Sequence, residues 1–248
     1  MNIIDGMRGL IKKPRRIIID SKQTLEEAAV HFGLFPFFVN PIRGLSVQEM
    51  AAPGLLFGGN IDEGCWEWKG PVIRQRTTAY GKFFRKKAGF VSLDLLPDFL
   101  NYRRSKYPVK PDSTEMMLLE IIRENDGMTS TDLKGAVFGP LRQRREWNDI
   151  PDPELETPFK EKRKSLEGPL QRLQMGGWLL ISDFEYKKTK NGERYGWGVA
   201  KYSTPELNFN TKFELPEVSH EESLTRLIKH LKEIWPGMTT KAALALLK

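Results

Sequence analysis

PDSTEMMLLEIIRENDGMTSTDLKGAVFG (residues 111–139) and SLEGPLQRLQMGGWLLISDFEYKKTKNGERYGWGVAKYSTP (residues 165–205) decide the fold of this chain. The first opens with a helix expected over Ser113 to Glu124, apolar at Met116, Met117, Leu118, Leu119, Ile121 and Ile122. Asn125-Asp126-Gly127 stops it, because Asn, Asp and Gly adopt turn geometry that a helix cannot continue through. Thr129-Ser130-Thr131-Asp132 then caps a second, short helix through Leu133, Ala136 and Val137. A third helix, Ser165 to Met175, places Leu166, Leu170 and Leu173 on one face, and Gly176-Gly177 ends it.

A hairpin follows. Trp178-Leu179-Leu180-Ile181 and Tyr195 to Tyr202 are strand-like, and between them lies Lys187-Lys188-Thr189-Lys190-Asn191-Gly192-Glu193-Arg194. Asn-Gly predicts a tight primed turn, since both residues accept positive φ. Three helices followed by a basic-tipped hairpin give the winged helix-turn-helix order. Helical modules of this kind set a helix in the major groove while cations meet phosphates. Gln171, Arg172 and Gln174 are therefore expected to face DNA, with Lys187, Lys188, Lys190 and Arg194 as the wing. A docking module for protein remains a competing reading, because a lysine-rich hairpin tip is also an ordinary solvated turn.

Working outward, three parts separate: an N-terminal α+β part over residues 1–110, the winged-helix part over 111–206 and a helical hairpin over 207–248. The fold class is thus α+β, mainly helical with small antiparallel hairpins. Residues 139–164 form a long insertion between the second and third helices. It carries Arg142-Gln143-Arg144-Arg145 and Lys160 to Lys164, which read equally as a second basic surface or as a solvated loop. In the last part, Ser219 with Glu222 caps a helix striped with Leu224, Leu227, Ile228, Leu231, Ile234 and Trp235, and Thr239-Thr240 caps a terminal helix. No internal repeat is visible.

With 39 Lys and Arg against 32 Asp and Glu, the net charge of +7 favours polyanionic partners. The single cysteine, Cys65, excludes an internal disulfide framework. No apolar run reaches the roughly 18–20 residues that span a bilayer, and Met1 to Arg16 does not read as a secretory signal, so a cytoplasmic protein without membrane contact is expected. His31, His220 and His230 are scattered, so neither a metal site nor a cofactor is expected.

In the N-terminal part, Thr24 to Gly33 and Ser46 to Ala52 read as short helices. Arg74, Arg76, Lys82, Arg85, Lys86 and Lys87 lie among Tyr80, Phe83 and Phe84 with no acid between them. Cations interleaved with aromatics suit nucleic acid, and they equally describe a hairpin with a buried aromatic face. Trp66-Glu67-Trp68-Lys69, Tyr80-Gly81-Lys82-Phe83-Phe84-Arg85, Phe90-Val91-Ser92 and Leu95-Leu96-Pro97-Asp98-Phe99 together resemble bacterial winged-helix proteins related to the AlkZ/YcaQ-like family of interstrand-crosslink DNA glycosylases. That resemblance implies tandem winged helices, with the N-terminal part a degenerate copy or a support. It also implies a Gln-x-Gln or Gln-x-Asp pair that positions water. This chain departs from the pattern: Gln23, Gln48, Gln75, Gln143, Gln171 and Gln174 are none of them followed two residues on by Gln or Asp. Glu49, Asp62, Glu63 and Glu67 are the available carboxylates, and spacing selects none. The catalytic residue stays unassigned. The reading is duplex-DNA binding in DNA repair; alternatives are a divergent glycosylase for alkylated or crosslinked bases, and a protein-interaction scaffold.

Overall fold

Ser21 starts the first helix by accepting the Thr24 N–H, while the Thr24 hydroxyl accepts in return from Ser21 N. That reciprocal cap fixes α1 (Lys22–Phe32), which turns Leu25, Ala28, Ala29 and Phe32 inward. β1 (Leu34–Pro36), α2 (Val47–Met50), α3 (Cys65–Arg74), β2 (Thr78–Phe84), β3 (Lys87–Ser92) and α4 (Leu96–Lys106) follow. β3 lies between β1 and β2, antiparallel to both. The computed structural model describes residues 17–60, 62–147, 166–210 and 215–248.

The central part repeats that order. Ser113 caps α5 (Thr114–Glu124), followed by β4 (Met128–Thr129), α6 (Ser130–Trp147), α7 (Glu167–Met175), β5 (Leu180–Lys188) and β6 (Arg194–Ser203). β6 lies between β4 and β5, again antiparallel to both. Each unit therefore runs helix, strand, helix, helix, strand, strand, with its last strand central. The expected Thr129–Asp132 cap is present: Thr129 donates from N and Oγ1 to the Asp132 carboxylate, and Asp132 N donates to Thr129 Oγ1. These bonds hold the Asp132 carboxyl below its ordinary range.

The two cores differ. Leu118, Leu119, Ile122, Leu133, Leu166, Leu170, Leu173 and Leu179 make an aliphatic core for the central unit. The N-terminal unit is built on Phe32, Phe35, Phe37, Tyr80, Phe83, Phe84, Phe90 and Phe99. α8 (Pro205–Phe209), α9 (His220–Ile234) and α10 (Thr240–Leu246) close the chain, and α9 lays its expected stripe on α4, burying Leu227 and Leu231 in the aromatic core. Arg103, itself buried, fastens these parts together: its guanidinium donates to the carbonyls of Phe83, Met175 and Leu247. Burial lowers the guanidinium's pKa, and three carbonyl dipoles take the place of water around the cation.

Several local expectations change. α6 continues to Trp147 instead of ending near Val137, so residues 139–147 belong to a helix and not to a loop. The run after Pro140 is rich in Leu, Arg, Gln and Glu, good helix formers that outweigh the single proline. The side chains of Arg142-Gln143-Arg144-Arg145 and all of Lys160 to Lys164 lie outside the described residues. α3 had no sequence signal because Gly70-Pro71 in its middle reads as a breaker. Asn191-Gly192 does not make a two-residue turn: Lys188 pairs with Arg194, and Gly192 N donates to Thr189 O within a longer loop. The tight primed-type turn is in the other hairpin, where Phe84 pairs with Lys87 and Arg85 and Lys86 take φ of 49° and 67°.

Candidate functional site at the seam between the units

The units meet along α3, β2, α7 and β5. The Phe184 ring of β5 packs on α3 at Gly70, at a distance where a Cβ would make an ordinary contact of 3.6 Å. Tyr80 and Phe184 rings lie 6.3 Å apart across the seam. Arg74 donates to Asp183 at 2.7 Å, tying the end of α3 to β5. Here Glu67, on the first turn of α3, receives the Tyr186 hydroxyl at 2.7 Å and Arg194 Nη2 at 3.0 Å. Arg194 also pairs with Asp62 and stacks its guanidinium 3.5 Å from the Tyr186 ring centroid. Burial, and next the bond to Glu67, push the Tyr186 phenol well above its ordinary range, so it stays a donor.

Lys69 lies directly beneath. It is buried, donates to Trp66 O, and sits 4.0 Å from the Trp66 ring and 4.4 Å from the Phe184 ring. Burial pushes the ammonium down to about 8, against an upward pull from Glu67 and a further downward push from Arg194. Around this polar set stands an aromatic corner: Trp66 to Trp197 at 5.6 Å, Phe57 to Trp66 at 5.9 Å and Phe57 to Trp197 at 6.4 Å. The arrangement offers a fixed carboxylate, a hydroxyl donor, cations and exposed ring surface in one place. Sequence reasoning names Asp62, Glu67 and Arg194 singly but misses Lys69, Tyr186 and their meeting, because the partners lie more than 100 residues apart, as Glu67 and Tyr186 do at a separation of 119. Gly196-Trp197-Gly198 in a strand was the legible clue, since paired glycines there mark a bulge.

The expected site residues distribute unevenly. Gln174 does not face outward: it is buried, accepts from Lys82 N at 3.0 Å and donates to Leu170 O, because α7 packs on β2. Arg172 is exposed but already paired with Glu115, and Gln171 is half-buried. Arg194 is committed to Asp62 and Glu67, and Arg74 to Asp183, so both serve the seam. Lys187, Lys188 and Lys190 are exposed at the second hairpin's tip and form no ion pair among the described residues. Arg76, Arg85, Lys86 and Lys87 are exposed as well, Lys82 is half-buried, and Lys87 Nζ donates to Val39 O at 3.1 Å. Cations therefore gather at the two hairpin tips and along the seam, and not on α7.

Among the described residues no three His, Cys, Asp or Glu side chains are placed to hold a metal, and no helix is long and apolar enough to cross a membrane. Burial pushes the Cys65 thiol up to about 11, away from the thiolate form that would react. A hollow of about 200 Å³ between Tyr107–Lys110 and α7 lies away from the seam and is smaller than the roughly 300–1,000 Å³ of ordinary ligand sites. A family model described as AlkZ related matches residues 19–248. No curated protein and no solved structure matches the chain.

Proposed function

The chain belongs to the AlkZ-related family, and on that premise we propose that it is a tandem winged-helix protein of DNA repair that grips duplex DNA through its two basic hairpins. The repeated order of helix, strand, helix, helix, strand, strand, each unit with its last strand central, supports the winged-helix reading. The observation that carries DNA binding is the turn at Arg85-Lys86. Two L-residues are kept at positive φ, where Asn-Gly would fold with less strain, and both side chains are exposed cations. Strain kept at a charged tip points to a use for the charge. With Gln174 buried and Arg172 paired, contacts run mainly to phosphates and only weakly to bases.

Binding should therefore fall steeply with salt. An anisotropy titration against short duplexes tests it, with micromolar or tighter binding expected at low ionic strength. Replacing Lys187, Lys188 and Lys190 by Ala weakens all sequences alike. Absence of any duplex binding under those conditions rejects the reading.

A second reading, base excision, is favoured by Glu67. Glycosylases need a polar or acidic group beside an extruded nucleotide, and Glu67 is a carboxylate held by Tyr186 and Arg194 next to open aromatic surface. Release of free base from alkylated DNA, abolished by Glu67→Gln with DNA affinity retained, is the expected result. No release across several alkylated substrates removes it.

A further inference from the structure

We propose that Trp197, with Trp66 and Phe57, forms a stacking platform for a single unpaired DNA base; this rests on the duplex-binding reading and names what the seam takes in. Trp197 is 65 % exposed and Phe57 51 %, although they touch each other and Trp66. Rings that served only to glue the units would be covered, since burial is what rewards an aromatic side chain. Trp197 is instead carried outward by an irregularity in the sheet. Glu185 pairs with Val199 and Lys187 with Tyr195, so β6 spends four steps where β5 spends two. Gly196 supplies a φ of 72°, and Gly198 lies where a Cβ would stand 2.8 Å from the Tyr186 ring. A bulge of this kind interrupts the ladder and re-aims a side chain. Among the described residues, none covers the indole to offset the lost pairing: Trp197 stays largely exposed.

The loop that carries Phe57 is also preset. Cys65 N donates to Leu55 O and Trp66 N to Leu56 O, closing it at the base. Glu63 accepts from Gly59 N, Asn60 N and Asn60 Nδ2 across it. These bonds fix backbone on both sides of Phe57, which lowers the ordering cost of binding.

The charge around the platform selects the occupant. Lys187 is the cross-strand partner of Tyr195, and Lys188 that of Arg194. On the other flank Lys87 bonds Val39 O, next to Phe38, whose ring is 6.1 Å from Trp66. Arg194 pairs with both nearby carboxylates, Asp62 and Glu67, and Lys69 adds a second cation 4.0 Å from the Trp66 ring. The Glu63 carboxylate is held by N–H donors of Gly59 and Asn60. Ring faces bordered on two sides by cations fit a base with its backbone phosphates. The base must be unpaired, because in a duplex its faces are already stacked.

The test uses the full chain and two labelled duplexes that differ by one extrahelical 2-aminopurine, followed by anisotropy and by 2-aminopurine fluorescence. Stacking on an aromatic side chain corresponds to roughly 5- to 150-fold in affinity. The bulged duplex is expected to bind about 10-fold tighter than the paired one, with its fluorescence quenched. Trp197→Leu, which keeps apolar area but removes the π face, should abolish both effects and leave the paired duplex bound as before. Trp197→Phe should retain part of the preference, and Tyr195→Leu all of it. Equal binding of the two duplexes by the native chain, or a preference that survives Trp197→Leu, overturns the platform while duplex binding stands. Parallel loss on both duplexes in Trp197→Leu also overturns it, by assigning Trp197 to general contacts or to self-association. Failure to bind either duplex overturns both proposals.

Discussion

The N-terminal and central units share one order of elements and use their third helices differently. In α3, Cys65, Trp68, Lys69, Gly70, Val72 and Ile73 are buried, and the β5 strand of the other unit covers part of what remains. In α7, Leu170, Leu173, Gln174 and Met175 are buried, but Arg172 reaches solvent. Neither helix presents a broad cationic face, so in both units the exposed charge has moved to the hairpin tips. The difference teaches that the topology fixes where a third helix stands, while the packing of the neighbouring unit decides whether it can touch a ligand.

The comparison is tested most severely at Arg103, which joins both units and the C-terminal helices. Arg103→Met leaves three buried carbonyls without their donor and should cost about 3–5 kcal/mol in denaturant unfolding. The two units should weaken together; a loss confined to one would show that they are not coupled through this residue. Next, Leu119→Ala opens a cavity in the central core and should cost about 3 kcal/mol. Hydrogen exchange is expected to speed up across α5, α7 and β6 and much less in α1 or β3. Equal opening in both units would mean that the separate cores do not define separate units.

Lys69 bears on the seam itself. Its pKa is about 8 when folded against an ordinary 10.5, so between those values the unfolded chain binds more protons than the folded one. Native stability therefore rises with pH across that window, and below it the full cost of a buried cation is present. Lys69→Met should stabilise by about 2 kcal/mol near neutral pH, with the advantage shrinking as pH climbs through the window. A pH-independent gain would locate the effect in packing alone. The smallest change is at the turn: Arg85→Asn with Lys86→Gly should add about 1 kcal/mol of stability, because the left-handed conformation is easier there for Asn and Gly. The same variant should bind duplex DNA several-fold more weakly at low salt. Retained affinity would leave the central hairpin as the sole basic contact.

Much of the architecture was legible because it is local. Ser113, Thr129 with Asp132, Ser219 and Thr239 start helices where their side chains reach an N–H three residues on, and that geometry needs no partner from elsewhere. The α9 stripe likewise announced a buried face. What escapes local rules is α3, hidden by Gly70-Pro71, and the turn chemistry, since the tight turn falls at Arg85-Lys86 and not at Asn191-Gly192. Helix position alone points to Gln171, Arg172 and Gln174, and it says nothing of what another unit lays against that helix, as β2 does at Gln174.

The sequence by itself determined a basic, mixed helix-and-strand chain with capped helices and a lysine-tipped hairpin, because caps, periodicity and charge act over a few residues. Only the tertiary structure decided that Glu67, Lys69, Tyr186 and Arg194 meet, that Gln174 is closed off, and that Trp197 stands beside Trp66 and Phe57. Contacts between residues so distant along the chain depend on how two cores dock, and no local rule of spacing encodes that.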